Sequence, residues 1–180
     1  MSSFETVKAM LQSRLGEGAV VDSEAAVAQP WIGVAAEQLL EACALLRDEP
    51  SLYFDYLECL TAVDEGPDAG RIGVIYHLMS ITRGLRIVLK CRVSRNPESV
   101  ANPKGLPEIP SVVSVWRSAE WHEREAYDLM GIWFAGHPDM RRILMPEDWE
   151  GHPLRKDYKM PEFYHDIPNA FEQFYDVQNP

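Results

Sequence analysis

The sequence is poor in cysteine, and its few cysteines form no pattern that would bind a metal ion or a cluster. Three are present, Cys43, Cys59 and Cys91, an odd number with no CxxC pair. Disulfide frameworks and cysteine-based zinc sites both need paired or closely spaced cysteines. The sequence therefore predicts free thiols that lie among apolar neighbours in a reducing compartment.

Long apolar runs and clusters of basic residues are also missing. No stretch approaches the roughly 20 apolar residues that a membrane-spanning helix needs. The first residues lack the basic and apolar regions of a secretory signal. The formal net charge of −11 disfavours nucleic-acid binding and direct docking on anionic lipid. We expect a chain that binds no nucleic acid, inserts into no membrane and reaches one only through a partner.

Motifs for catalysis or nucleotide binding are absent as well. A Gly-Glu-Gly stretch at 16–18 lacks the third glycine of a dinucleotide fingerprint, and no P-loop or nucleophile elbow occurs. His137, His152 and His165 are 15 and 13 residues apart, whereas zinc ligands usually include a close pair. Hydrogen-bonded loop histidines are the favoured interpretation. We expect no catalytic residue, no cofactor-binding residue and no metal ligand in this chain.

Hydrophobic periodicity predicts an α+β fold. Residues 71–79 and 85–93 alternate between apolar and polar side chains. This alternation is typical of a mainly antiparallel sheet with helices packed on one face and an extended C-terminal segment after it. The predicted elements are a helix through Leu15, strands over 19–22 and 26–34, a helix over 35–47, strands over 52–63, 71–79 and 85–93, a loop over 94–110 and a helix over about 112–130.

The chain divides into an α+β domain, residues 1–130, and a tail, residues 131–180. The tail has no sustained periodicity, yet it holds half of the aromatic residues and 6 of the 13 prolines. A segment so apolar must lie against a surface, and aromatic and arginine side chains are enriched in protein interfaces. Partner binding is favoured, with wrapping around its own domain as the alternative. The aromatic residues are Trp133, Phe134, Trp149, Tyr158, Phe163, Tyr164, Phe171, Phe174 and Tyr175.

The last predicted helix carries a carboxylate in its apolar arc. Glu123 occupies that position, and a buried carboxylate is costly unless it is paired. We expect Glu123 to form an ion pair with a tail cation, and a general base is the alternative. Glu120, Arg124 and Asp128 follow the opposite side and are interpreted as a solvated face. The candidate cations are Arg141, Arg142, Arg155 and Lys156.

The same region resembles a family signature. The matching residues are Glu123, Arg124, Glu125, Asp128, His137 and Arg141, with Ile143-Leu144 and the stretch from Gly151 to Tyr158. From residue 123 to residue 158 the sequence is similar to the C-subunit family of NADH-quinone oxidoreductase, the respiratory NADH dehydrogenase, whose member is the 30-kilodalton subunit of complex I. Weaker similarity extends to residues 54–57 and 76–78.

The resemblance implies a non-catalytic subunit in the peripheral arm of proton-translocating NADH:quinone oxidoreductase, at the cytoplasmic face of the inner membrane. It implies that NADH, FMN, iron–sulfur clusters and quinone are bound by other subunits. The implied partners are the D and B subunits of complex I and a neighbouring ferredoxin-like subunit. Equivalent subunits of membrane-bound hydrogenase, the coenzyme F420 dehydrogenase or the photosynthetic NDH complex are the alternative. The expected partner interface is Trp133, Arg142, Trp149, Arg155, Lys156, Asp157 and Tyr158.

Overall fold

The computed structural model describes residues 3–99 and 102–169 of the 180-residue chain. Within these ranges, the α-helices are α1 (Ser3–Leu15), α2 (Leu39–Asp48) and α3 (Ala119–Met130), with short 3-10 helices at Glu17–Ala19 and Ala36–Gln38. The strands are β1 (Val20–Glu24), β2 (Trp31–Val34), β3 (Tyr56–Gly66), β4 (Arg71–Ser80), β5 (Leu85–Ser94), β6 (Glu108–Pro110), β7 (Trp133–Ala135), β8 (Phe163–Tyr164) and β9 (Ile167–Pro168).

A five-stranded sheet in the order β1-β2-β5-β4-β3 forms the centre of the fold. Its neighbouring strands run antiparallel except for β2 and β5, which are parallel. In β4, Ile72, Val74, Tyr76 and Leu78 are buried, and the residues between them are exposed or less buried apart from Gly73. This period-two pattern lets one face of the sheet contact the core. The predicted α+β class with a mainly antiparallel sheet is confirmed.

The helices supply the other half of the core. In α1, Phe4, Val7 and Leu11 are buried, and they recur at helical spacing along one side. In α2 the buried side chains include Leu39 and Leu46. Both helices contact the same cluster as the buried side chains of β4 and β5. All three cysteines are free, as predicted; Cys43 and Cys91 are buried and Cys59 is half-buried.

Three predicted boundaries were wrong. The second strand begins at Trp31 rather than 26, and the third begins at Tyr56 rather than 52. Residues 52–54 belong instead to the turn after α2, where the N–H of Phe54 donates to the carbonyl of Leu46. The helix predicted from 112 begins at Ala119, and turns precede it. Apolar residues in turns imitate helical or strand periodicity over so short a window.

A second, two-stranded sheet joins the first residues of the tail to the domain. Strand β6 lies in the predicted loop, and β7 lies in the tail; they pair in parallel, with Ile109 opposite Phe134. Both side chains are buried in the core, as is Ile132. The division at residue 130 stays a prediction, but the first tail residues contribute apolar surface to the domain's core.

Candidate functional site: the tail and its buried attachments

The tail is attached to helix α3 through a buried carboxylate, Asp128. Its side chain is fully buried. Oδ2 accepts hydrogen bonds from three consecutive backbone N–H groups, those of Ile143 (3.0 Å), Leu144 (2.7 Å) and Met145 (2.8 Å). Oδ1 accepts one from Nη1 of Arg142 at 2.7 Å. Burial opposes ionisation, but these hydrogen bonds outweigh it, so the pKa of Asp128 is lowered.

Arg142 extends this attachment along the tail. Its Nη2 donates to the carbonyl oxygens of Trp149 (2.8 Å) and Gly151 (3.0 Å), while its Nη1 contacts Asp128. One planar guanidinium therefore holds the helix end and two points of the tail in a fixed arrangement. Arg142 was expected to pair with a partner carboxylate; in the isolated chain it pairs within its own fold.

The helix face interpreted as solvated is covered by the tail. Arg124 is 7% exposed and Asp128 is 0% exposed. Arg124 donates from Nε to the carbonyl of Arg141 (3.2 Å) and from Nη2 to that of Arg142 (3.1 Å). The prediction of a solvated face was wrong for these two residues. Their polar groups find partners in the tail backbone, which the spacing of charges along a helix does not reveal.

Two histidines fasten the tail to carbonyl groups of α3, as the hydrogen-bonded loop interpretation predicted. Nδ1 of His137 accepts from the N–H of Asp139 (3.0 Å), so Nε2 carries the proton and donates to the carbonyl of Glu120 (3.1 Å). Nδ1 of His152 lies 2.9 Å from the carbonyl oxygen of Asp128 and donates to it. Burial lowers the pKa of His152, and the hydrogen bond to Asp128 offsets part of that effect.

Arg155 closes the C-terminal end of α3. Its Nε donates to the carbonyl of Met130 (2.8 Å), and its Nη2 donates to that of Gly131 (3.0 Å). Carbonyl groups at a helix end accept no hydrogen bond from the helix itself, and these contacts satisfy two of them. Gly131 has φ of 67°, and a Cβ there would clash with the ring of His152. Only glycine combines that backbone conformation with such close packing.

A second buried attachment joins the tail to the central sheet. Arg95 donates to both carboxylate oxygens of Asp64, at 3.0 and 3.2 Å, and both residues are buried. The tail adds the N–H of Lys156, which donates to Asp64 at 2.9 Å, and the carboxylate of Asp157, which contacts Arg95. Burial raises the pKa of Asp64, but the hydrogen bonds from Lys156, Arg95 and Gly66 outweigh it and lower the pKa overall.

This second attachment escaped the sequence analysis. Asp64 begins a turn-like stretch and Arg95 stands in a predicted loop, 31 residues apart. Nothing in the local pattern marks either residue as buried. The pair forms because β3 and β5 both end at the same side of the sheet, where the tail passes.

Glu123 does not pair with a tail arginine, so that prediction was wrong. Its carboxylate is fully buried and lies 2.6 Å from the hydroxyl of Ser111 and 2.8 Å from the N–H of Val112. Desolvation raises its pKa to about 7, against these two hydrogen bonds. The residue ties α3 to the turn before it. A side chain with no exposed surface has no contact with a dissolved substrate, which disfavours the general-base alternative.

The tail's aromatic residues pack mostly on one another and on α3. Trp133 contacts Tyr127 edge to face, with ring centroids 5.8 Å apart. The indole N–H of Trp149 donates to the hydroxyl of Tyr158 at 2.9 Å. These contacts keep both tryptophans half-buried in the isolated chain. Phe171, Phe174 and Tyr175 lie outside the described residues.

Other residues of the expected signature and interface are solvent-exposed. Glu125 is exposed, Arg141 pairs with Asp139 at 2.8 Å, and Nζ of Lys156 donates to the carbonyl of Glu65 at 3.3 Å. Contact of the expected interface with a partner stays a prediction. Most of its residues already have partners inside the chain, and the tail's outward side chains are instead apolar.

Metal binding and membrane insertion find no support in the described part of the chain. In residues 3–99 and 102–169, no group of three or more His, Cys, Asp or Glu side chains could hold a metal ion. No helix in these two ranges is long and apolar enough to cross a membrane.

One solved structure has a similar fold. A chain of the membrane-bound sulfane sulfur reductase (MBS), an archaeal respiratory membrane complex, superposes with a TM-score of 0.63 and is 21% identical in sequence. The superposition covers 87% of this chain and 85% of the other. At this identity the likeness concerns the fold alone.

Sequence comparison gives closer relatives, all of them C subunits of NADH-quinone oxidoreductase. That of Chlorobium phaeobacteroides is 48% identical over 132 residues, which is 73% of this chain and 74% of that protein. That of Chloroherpeton thalassium is 42% identical over 160 residues, 88% of this chain and 62% of that protein. A C subunit of Rhizobium meliloti, numbered 2, is 42% identical over 154 residues, 86% and 79% of the two chains. A family model described as respiratory-chain NADH dehydrogenase, 30 Kd subunit, matches residues 32–164. Because this match spans the central sheet, α3 and most of the tail, the chain belongs to the 30 Kd subunit family of the respiratory-chain NADH dehydrogenase.

Proposed function

We propose that this chain is a peripheral-arm subunit of NADH-quinone oxidoreductase with no active site of its own, and that it supports the quinone-reducing subunits. The D and B subunits are its proposed neighbours, with a ferredoxin-like subunit close by. The proposed location is the cytoplasmic face of the inner membrane, reached through those subunits. NADH, FMN, iron–sulfur clusters and quinone would be bound by the partners.

The observation that carries the proposal is the family match over residues 32–164, which includes the attached tail as well as the sheet. The chemistry of the tail agrees with a structural role. Asp64 and Asp128, its two buried carboxylate contacts, are both saturated by hydrogen bonds that fix its course. Groups saturated in this way hold a shape and have no free site for a substrate.

An equivalent subunit of a related respiratory complex is the second candidate. The fold shared with a chain of the sulfane sulfur reductase complex favours it. The relatives named as C subunits, at 42–48% identity, favour the NADH-quinone oxidoreductase. The electron donor module that purifies with the chain separates the two candidates.

Co-purification tests the proposed function. A tagged full-length chain, expressed in its host together with the D and B subunits, is expected to retain both in constant proportion through affinity and size-exclusion steps. The purified chain alone is expected to contain no iron or flavin, by elemental analysis and absorbance, and to show no turnover with NADH and quinone. Turnover by the isolated chain would show that it is a freestanding enzyme. Loss of both subunits at the first wash would contradict the proposed neighbours.

A further inference from the structure

The tail beyond Tyr158 forms a small β-hairpin that presents apolar side chains to solvent. Phe163 pairs with Pro168 and Tyr164 with Ile167 across strands β8 and β9. Phe163 is 61% exposed and Ile167 is 65% exposed. A two-stranded hairpin has no core of its own and little independent stability in water. Something outside the hairpin must therefore determine its shape.

The turn of this hairpin has an uncommon backbone conformation. His165 has φ of 50° and Asp166 has φ of 63°. Positive φ at both central residues defines the tight turns that usually contain Asn-Gly. Non-glycine residues adopt it at a cost in free energy and keep it where neighbouring groups impose it.

Asp148 imposes that conformation. Its Oδ1 accepts from the hydroxyl of Tyr164 at 2.9 Å, and its Oδ2 lies 2.6 Å from Nε2 of His165. The ring of Tyr164 packs on Trp149, with centroids 5.1 Å apart. Trp149 is held in turn by Arg142, which binds Asp128. The hairpin is thus connected to the buried attachment on α3 and is preorganised before any partner arrives.

The exposed apolar pair has a negatively charged border. Glu147, Glu162 and Asp166 are exposed beside the hairpin, and within the part of the chain that the structure describes none of them forms an ion pair. Aromatic and aliphatic side chains surrounded by charge are typical of the centre and rim of an interface. A complementary surface would offer an apolar pocket bordered by lysine or arginine.

We propose that the β8–β9 hairpin is a docking element that inserts Phe163 and Ile167 into an apolar pocket with a basic rim on a neighbouring subunit. The proposal rests on the proposed function and refines it. It moves the principal contact from the arginines, which are engaged inside the chain, to a hairpin with outward apolar residues. Asp148 is a positioning residue in this arrangement.

Charge substitution of the two apolar residues tests the proposal. Phe163→Asp with Ile167→Asp, in the tagged full-length chain expressed with its complex, is expected to reduce co-purified subunits by at least about tenfold, because both side chains would be central contacts. The matched control is Ile81→Asp, which alters an apolar residue that is 60% exposed at the β4–β5 turn. This control is expected to retain wild-type proportions. Equal retention by the double variant and the control would overturn the proposal.

A second measurement distinguishes a partner from the chain's own residues 170–180. Melting temperatures are compared for the isolated wild type, the double variant and a chain that ends at Asn169. Docking on a partner predicts that the double variant melts like the wild type. A shared fall in melting temperature of the double variant and the shortened chain would mean that residues 170–180 cover the hairpin, which would overturn the proposal. If the wild type itself fails to co-purify, the proposed function fails instead.

Discussion

Asp128→Asn is expected to lower the free energy of unfolding by about 3–5 kcal/mol, the usual cost of removing one partner from a buried charge pair. The amide keeps the size of the carboxylate but loses its charge. One side of it must also present an N–H₂ group either to the guanidinium of Arg142 or to the three N–H donors of residues 143–145. Donors would then face donors in a buried site. Chemical denaturation of the isolated chain measures the effect.

The matched control for this substitution is Asp139→Asn. Asp139 belongs to the same tail and also pairs with an arginine, Arg141, but both side chains are largely exposed. Exposed pairs contribute little to stability, so the control is expected to unfold at the same denaturant concentration as the wild type. If Asp128→Asn also unfolds at that concentration, the buried attachment is not a source of stability.

The effect of Asp128→Asn should also depend on pH. The pKa of Asp128 is lower in the folded chain than in the unfolded one. Its contribution is therefore complete above the unfolded pKa of about 3.9, and it is lost as pH falls through the folded pKa. The stability difference between wild type and variant is expected to be constant at neutral pH and to shrink in acid.

Glu123→Gln is expected to stabilise the chain at pH 8 by about 3 kcal/mol and to have a much smaller effect near pH 5. Between the unfolded pKa of about 4.3 and the folded pKa of about 7, the folded chain holds a proton that the unfolded chain has lost. Stability therefore falls as pH rises through this window, by about 1.4 kcal/mol per pH unit. Glutamine cannot ionise, and its amide can accept from Val112 and donate to Ser111.

Urea denaturation of wild type and variant from pH 5 to pH 8 checks this prediction. The control is Glu125→Gln, which alters an exposed glutamate two positions along the same helix. Its difference from the wild type is expected to stay constant across the range. Parallel pH profiles for Glu123→Gln and the wild type would show that Glu123 keeps an ordinary pKa in the folded chain.

The two carboxylates differ because of their partners. Asp128 and Glu123 lie on the same helix, and both are fully buried. Asp128 has four donors, one of them a guanidinium. Glu123 has one hydroxyl and one N–H. The desolvation cost of a charge is overcome in the first case and not in the second.

The periodic elements were predictable from the sequence because their pattern is local. Strands β4 and β5 were located within one residue, since alternation over ten residues depends only on which side chains must face the core. Strands β6 and β7 were missed because three residues contain too little of any period. They pair across 25 positions, with Ile109 opposite Phe134, and that contact has no local signature.

The site was predicted in its members and not in its contacts. The signature residues Arg124, Asp128, His137 and Arg141 do meet around one helix end. The helical periodicity, however, assigned Asp128 to solvent and Glu123 to an arginine. It treats polar residues as exposed unless the helix itself buries them, and here a non-helical segment distant in sequence buries them.

The sequence by itself determined the α+β class, the family, the free cysteines and the concentration of aromatic residues in the tail. These follow from composition and short-range spacing, which any segment carries with it. Only the tertiary structure decided that Asp128 and Asp64 hold the tail, that Glu123 is isolated from cations, and that residues 163–168 form a preorganised hairpin. The reason is physical: the free energy of a buried charge depends on which donors surround it, and those donors come from segments far apart in the chain.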